Sequence, residues 1–387
     1  MTLYRQLKAR GELLKAFKAA ELYRTRKKAN QISYQYPHIQ DVKVTEDYTR
    51  YMFTLLNGMN PSKVYENDWA LKQVLGKTIE IKGDLKQFVV TVHRKGLPSY
   101  VPYRYNEFIS EVQGMELPII CGKDAYNQYV SYDMAKFETL LLTGEIGAGK
   151  SSLLRAIITT LIQYRKPDEL RFVLVDLKRA DLGIFEHVGH VEGVYVSAQE
   201  MHHPFKKLKT EMSKRGDLLR KRGVSHIKHL SDKIPRLVVV IDEMSIIRKE
   251  KELISLTEDI ASQGRALGIH LILAMQRADS KMLESGSLKN NMRVRISGRQ
   301  SDSINAKVAG VPGAEEIGIA ERGRMKMKLD EVMEFQSVFL SEEEAKKIIS
   351  PYKVNPVLAE SAVIPPSNLS QPLPFGILEE EETNERT

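Results

Sequence analysis

LLLTGEIGAGKSSLLRAII, residues 140–158, runs from an apolar stretch through three glycines to a lysine, two serines and a second apolar stretch. The first run has the length of a buried strand and the second continues as a helix, so the glycines mark a strand-to-helix turn. Gly144, Gly149, Lys150 and Ser151 fit the spacing G-x4-G-K-[ST]. That spacing has a mechanism: glycines let backbone N–H groups close around phosphates, and the helix N-terminus adds positive potential. The candidate cradle is Gly144, Glu145, Ile146, Gly147, Ala148, Gly149, Lys150, Ser151 and Ser152. Lys150 is placed to contact the outer phosphates, and the Ser151 hydroxyl to ligate Mg2+. The plainer alternative is a Gly-rich turn with no ligand.

Working outward, apolar runs recur at 139–143, 171–176, 236–242 and 269–275, with helical segments between them. Short Val/Ile/Leu runs in this alternation predict an α/β domain with a buried parallel sheet. Such a sheet binds ligands at the carboxyl ends of its strands. The run RLVVVID ends there in Asp242 and Glu243. Asp242 suits the metal's water shell, and Glu243 suits orientation and deprotonation of an attacking water. The competing reading of the pair is a helix N-cap. IHLILAM ends in Gln276, placed to sense a terminal phosphate or only to make a turn. Arg265, at the end of the helix before that strand, fits either transition-state stabilisation in a neighbouring subunit or a surface ion pair.

The whole 387-residue chain is 42% hydrophobic and 28% charged, with a net charge of +8, ordinary for a globular protein with an anionic partner. No window is apolar enough for a transmembrane helix, and the N-terminus lacks a signal-peptide core. Localisation is therefore read as cytoplasmic, with any membrane contact peripheral, through a partner or the basic N-terminal helix. The lone Cys121 excludes an intrachain disulfide and reads as a small buried residue. Nine Lys/Arg stand against two acids in residues 1–30. The chain divides into a basic amphipathic helix (1–30, with Leu3, Leu7, Leu14 and Phe17 as its apolar positions), a small α+β module (31–120), the α/β domain (121–345) and a Pro-rich acidic tail (346–387). In the module, 60–76 predicts one helix, and 77–83 with 87–96 a hairpin.

The blocks LLLTGEIGAGKSSLLRAII, RFVLVDLKRADLGIF, EMSKRGDLLRKRGVSHIKHL, LVVVIDEMS, ASQGRALGIHLILAMQRAD and LKNNMRVRISGRQSDSINAKVAG resemble, in order and texture, the FtsK/SpoIIIE DNA translocase domain. The resemblance covers roughly 120–340 and implies a RecA-like P-loop ATPase using ATP and Mg2+. It further implies a homo-hexameric ring that pumps double-stranded DNA. Lys150 and Ser151 match the family's Walker A pair, Asp242 and Glu243 its Walker B pair, Gln276 its sensor and Arg265 its trans-acting arginine. Asp176 and Lys178 match its D-x-K strand end, and Asp181 stands where a glutamate is usual. Lys214, Arg215, Arg220, Arg293 and Arg295 are candidate DNA contacts.

The family's chromosome pumps carry a membrane anchor and a winged-helix domain, and the 47 residues after position 340 are too few for the latter. The expectation is a compact motor of a plasmid, conjugative element or phage, working with a relaxase, relaxosome or membrane transfer-complex protein. Two other readings stay open: a secretion ATPase acting on protein, and an ATP-switched DNA-binding protein without processive translocation.

Overall fold

The computed structural model describes residues 2–28, 31–45, 48–76, 78–93, 96–231, 234–278, 280 and 287–354. Two compact units are present, one of residues 1–98 with 125–128, the other of 99–124 and the residues from 129 on.

The first unit begins with helix α1 (Thr2–Ala19), followed by the antiparallel pair β1 (Arg24–Lys28) and β2 (Gln31–Gln35). Strands β3 (His38–Val44), β4 (Tyr48–Thr54), β5 (Ile79–Gly83) and β6 (Gln87–His93) form an antiparallel sheet in the spatial order 3-4-6-5. The helix expected over 1–30 thus stops at Ala19, and residues 24–28 pair as a strand. Its buried stripe is Ala9, Leu13, Ala16 and Phe17, whereas Leu7 and Leu14 are exposed. Ala9 and Ala16 carry the helical period together with Leu13 and Phe17, and Leu7 and Leu14 point away from it. The helix expected over 60–76 is broken at Asn67 into α2 (Ser62–Glu66) and α3 (Asp68–Leu75). The Asn67 side-chain amide donates to the Ala20 carbonyl at 2.9 Å, tying the break to the end of α1.

In the second unit the chain passes through β7 (Val101–Pro102), α4 (Tyr105–Phe108), β8 (Pro118–Lys123), β9 (Tyr129–Asp133), β10 (Thr139–Thr143) and α5 (Lys150–Tyr164). It continues through β11 (Leu170–Asp176), β12 (Val191–Tyr195), α6 (Ala198–Arg222), β13 (Arg236–Asp242), α7 (Lys251–Leu267) and β14 (Ile269–Met275). Strands β15 (Val294–Ser297), β16 (Arg324–Lys328) and β17 (Val332–Phe339) follow. The sheet order is 12-11-13-14-10-15-16-17-8-9, with β7 beside β17. The six strands from β12 to β15 are parallel, and the rest of the path is antiparallel. All four predicted apolar runs lie in the parallel part.

Alternation along these strands divides the interior in two. Leu140, Leu142, Leu174 and Val240 pack with α5 residues such as Leu153 and Ile157 on one face. Leu141, Val175, Val239 and Leu273 pack with α6 and α7 residues such as Phe205 and Ile260 on the other. Residues 346–354, read as the start of the tail, complete the first of these cores. Ser341 and Glu344 form a capping box that starts the helix Glu342–Ile349, which buries Ala345 and Ile349. The tail from 355 on lies outside the described residues.

His270, the second residue of β14, is 1% exposed. Burial, with the Arg236 charge nearby, pushes its pKa down to about 3. The unfolded chain binds this proton as pH falls through about 6.5, whereas the folded chain refuses it until far lower. Stability present above the unfolded value is therefore lost as pH drops toward 3, by at most about 1.4 kcal/mol per pH unit for this group. Urea midpoints measured across that window should fall less steeply for His270→Leu than for the wild type.

Candidate functional site

The carboxyl ends of β10, β11 and β14 converge on one cavity of ≈ 600 Å³ lined by Gly147, Gly149, Lys150, Ser151, Lys178, Asp181 and Gln276, and the end of β13 lies behind it, its Asp242 bonded to Lys150. β14 lies between β10 and β13, so Gln276 emerges between the glycine loop and the Asp242-Glu243 pair. The loop is packed too tightly for side chains at two of its glycines. A Cβ on Gly144 would stand 3.2 Å from the Ala148 Cβ and 3.3 Å from Gly298, and one on Gly149 3.0 Å from the Gly323 Cα. Their φ angles, 149° and 99°, are themselves open to glycine and strained for other residues. The Glu145 N–H donates to the Arg299 carbonyl at 3.0 Å, and the Arg299 guanidinium pairs with the Glu145 carboxylate. Glu145 therefore frames the loop, and Ile146, 85% exposed, projects from its tip. Ser152 is also committed: its hydroxyl donates to the Leu340 carbonyl at 3.2 Å and accepts the Leu340 N–H at 2.8 Å.

Lys150 Nζ lies 2.6 Å from Asp242 Oδ1, with both side chains buried. The second Asp242 oxygen is buried and has no hydrogen-bond partner among the described residues. Ser151 Oγ donates to Asp181 Oδ2 at 2.5 Å, and Arg155 holds the other Asp181 oxygen at 3.3 Å. A backbone cradle, a lysine ammonium and an orphaned buried carboxylate oxygen fit a nucleotide triphosphate with its metal. Among the described residues no cluster of three metal-ligating His, Cys, Asp or Glu side chains exists. Ser151 Oγ and the second Asp242 oxygen are the protein oxygens that could hold Mg2+, which takes one or two of them and completes its shell with phosphate and water.

Asp176, matched to the D-x-K strand end, faces its own loop: its carboxylate accepts the N–H groups of Ala180, Asp181 and Leu182 at 2.9–3.2 Å. This turn delivers Lys178 to Glu243 and Asp181 to Ser151. Sequence reading left Asp181 without a role; its signal was the spacing D-x-K-x-x-D.

Glu243 sits in left-handed backbone geometry, φ 63° and ψ 58°. Its carboxylate accepts Lys178 Nζ at 2.5 Å, Ser245 Oγ at 2.5 Å and the Gln276 N–H at 3.2 Å. Burial opposes ionisation, but the Lys178 and Ser245 hydrogen bonds outweigh it and hold the carboxyl below its ordinary value. A carboxylate kept ionised beside Lys178 and the Gln276 N–H, two residues that line the cavity, can accept a proton from water.

Arg265 lies elsewhere. It precedes β14 while Gln276 follows it, so the seven-residue strand, about 23 Å at ~3.3 Å per residue, separates them. Arg265 is exposed, 3.8 Å from Glu138, on a separate cleft of ≈ 780 Å³ shared with Lys209, Asp217 and His226. Lys214, Arg220 and Arg293 are exposed. Two of the proposed DNA contacts are corrected. Arg215 is 1% exposed, paired with Glu211 at 2.7 Å and donating to the Leu267 carbonyl at 2.8 Å. The half-buried Arg295 donates to the Lys289 and Met292 carbonyls and covers Gly310. Both guanidiniums hydrogen-bond within the fold.

The FtsK/SpoIIIE family model matches residues 109–249. The DNA translocase FtsK of Chlorobaculum tepidum is 30% identical over 270 residues, 65% of this chain and 34% of that protein. That of Borreliella burgdorferi is 29% identical over 247 residues, 58% and 31%. The chain spans about a third of the length of these curated relatives. Among solved structures, the conjugation coupling protein TcpA of pCW3, determined with ATPγS, aligns with a TM-score of 0.59 at 23% identity, covering 89% of this chain and all of that one. The cytoplasmic domain of the type VII secretion ATPase EccC of Thermomonospora curvata aligns with a TM-score of 0.54 at 25% identity, covering 62% and 31%. Residues 109–249, which hold the glycine loop and the Asp242-Glu243 pair, are thus similar to the P-loop ATPase domain of the FtsK/SpoIIIE family.

Replacing Lys178 by Met leaves the buried Glu243 without its cation. The acid limb of the ATPase pH profile should then move up by about one unit or more, since burial alone raises a carboxyl pKa. An unchanged limb would show that Lys178 does not set the ionisation of Glu243.

Proposed function

We propose that this FtsK/SpoIIIE-family ATPase uses ATP and Mg2+ to drive double-stranded DNA through a homo-hexameric ring. Its setting is DNA transfer or segregation of a plasmid, conjugative element or phage. The observation that carries the reading is the division of the site. Lys150, Ser151, Asp242, Glu243 and Gln276 gather at one end of the sheet, and Arg265 is exposed at the other. An arginine that far from its own glycine loop acts on phosphate only in a neighbouring copy.

Bound MgATP supplies the electrophilic phosphoryl group and the metal's charge. Lys150 leaves Asp242 to pair with phosphate oxygens, and Ser151 and Asp242 hold the cation or its water. A Glu243 carboxylate oxygen accepts the proton of the attacking water. Gln276, whose N–H is bonded to that same carboxylate, links the base to the end of β14. Lys214, Arg220 and Arg293 remain the candidate contacts with DNA phosphates, which makes binding salt-sensitive.

No helix among the described residues is long and apolar enough to cross a membrane. That accords with a cytoplasmic protein, with any membrane or relaxosome contact made through a partner. A protein substrate is the second reading, favoured by the likeness to EccC.

ATP hydrolysis with and without linear duplex DNA tests the proposal. Stimulation of several-fold is expected, with a loss of ~100-fold or more in Lys150→Ala and in Glu243→Gln. The absence of any DNA response at low and moderate salt would sink it. Mixing Arg265→Ala with Glu243→Gln subunits should restore part of the activity, because each supplies what the other lacks. No recovery between assembling parents would remove Arg265 from the site.

A further inference from the structure

The cavity that holds the glycine loop has a second wall unlike the first. Tyr100 and Phe339 line it, 59% and 44% exposed. Their ring centroids are 5.7 Å apart, with the planes inclined at 46°. Neither position figured in the reading of the sequence. Tyr100 precedes β7 and Phe339 ends β17, and these two strands pair in parallel.

The aromatic wall is fixed to the phosphate end. Ser152 makes its two hydrogen bonds to Leu340, the residue after Phe339, and Arg155 donates to the Leu340 carbonyl at 2.9 Å. Three hydrogen bonds thus join the first turns of α5 to the residue beside the ring. From the other side the Tyr103 N–H donates to the Phe339 carbonyl at 3.0 Å. One continuous cavity therefore offers N–H groups and Lys150 at one end and two held, solvent-facing rings at the other. A ligand matched to it carries a polyanion and a flat π-system.

We infer that Tyr100 and Phe339 are the base-binding wall of the nucleotide site, stacking against the purine while the glycine loop takes the phosphates. The inference rests on the nucleotide reading of the loop and adds to it the residues that grip the base. Stacking needs only a π-face, so affinity comes from ring area and not from hydrogen bonds to the base edge. It also explains the second serine of G-K-S-S: Ser152 sets the distance between the two ends.

Titration calorimetry of the full chain with MgATP and with magnesium tripolyphosphate, which lacks base and ribose, separates the two ends. Tyr100→Ala and Phe339→Ala should each weaken ATP binding by about tenfold, and the double variant by more. Tripolyphosphate affinity should stay at the wild-type value. Tyr100→Phe and Phe339→Tyr keep a ring in place and should bind ATP almost as the wild type does. The inference is overturned if the double variant binds ATP as tightly as the wild type, or loses ATP and tripolyphosphate equally. It is also overturned if the alanine variants change only the oligomeric state, which would make the rings a contact between copies. A wild-type chain that binds neither ligand would refute the nucleotide reading itself.

Discussion

The contact on which the second unit depends is the ion pair between Lys150 and Asp242. It joins the first residue of α5 to the last of β13, across the intervening strand β14. Both side chains are buried, so neither charge can be left alone without a large desolvation cost. Whatever separates them has to bring an anion for the lysine and a cation for the aspartate together. Anion and cation therefore reinforce each other's binding, and each alone strands one buried charge.

The same compensation runs through the neighbouring groups. Lys178 is matched to Glu243, and Arg155 with Ser151 to Asp181. The resting site is close to electrically neutral although the chain carries +8. The excess positive charge lies outside the cavity, on surfaces such as the exposed lysines and arginines of α6.

What could be read from the sequence follows from range. The glycine loop, the buried strands and the carboxylates at their ends are local patterns, and the α/β fold followed from them. The partners of Glu243 were hidden because Lys178 lies 65 residues away and meets it only through the pairing of β11 with β13. Gly298 and Gly323 support the glycine loop through contacts that no spacing announces. Arg215 was misread because its helix is rich in basic residues; Glu211, four positions earlier, was the available sign that it turns inward. In α1 Phe17 was read correctly, and the rest of the buried face, Ala9, Leu13 and Ala16, went unnoticed beside the exposed Leu7 and Leu14.

The tie between Ser152 and Leu340 bears on how the protein can be dissected. The family match ends at residue 249, yet β14, the Gly298–Arg299 support and the strand end at 339–340 all come later in the chain. Val188 bridges to Lys353, so even residues past 350 brace the loop after β11. A fragment trimmed to the matched residues 109–249 would retain both Walker segments and lose the strand between them. The contacts that hold the site together run through the sheet's closing strands and the helix behind them, and they extend to residue 353.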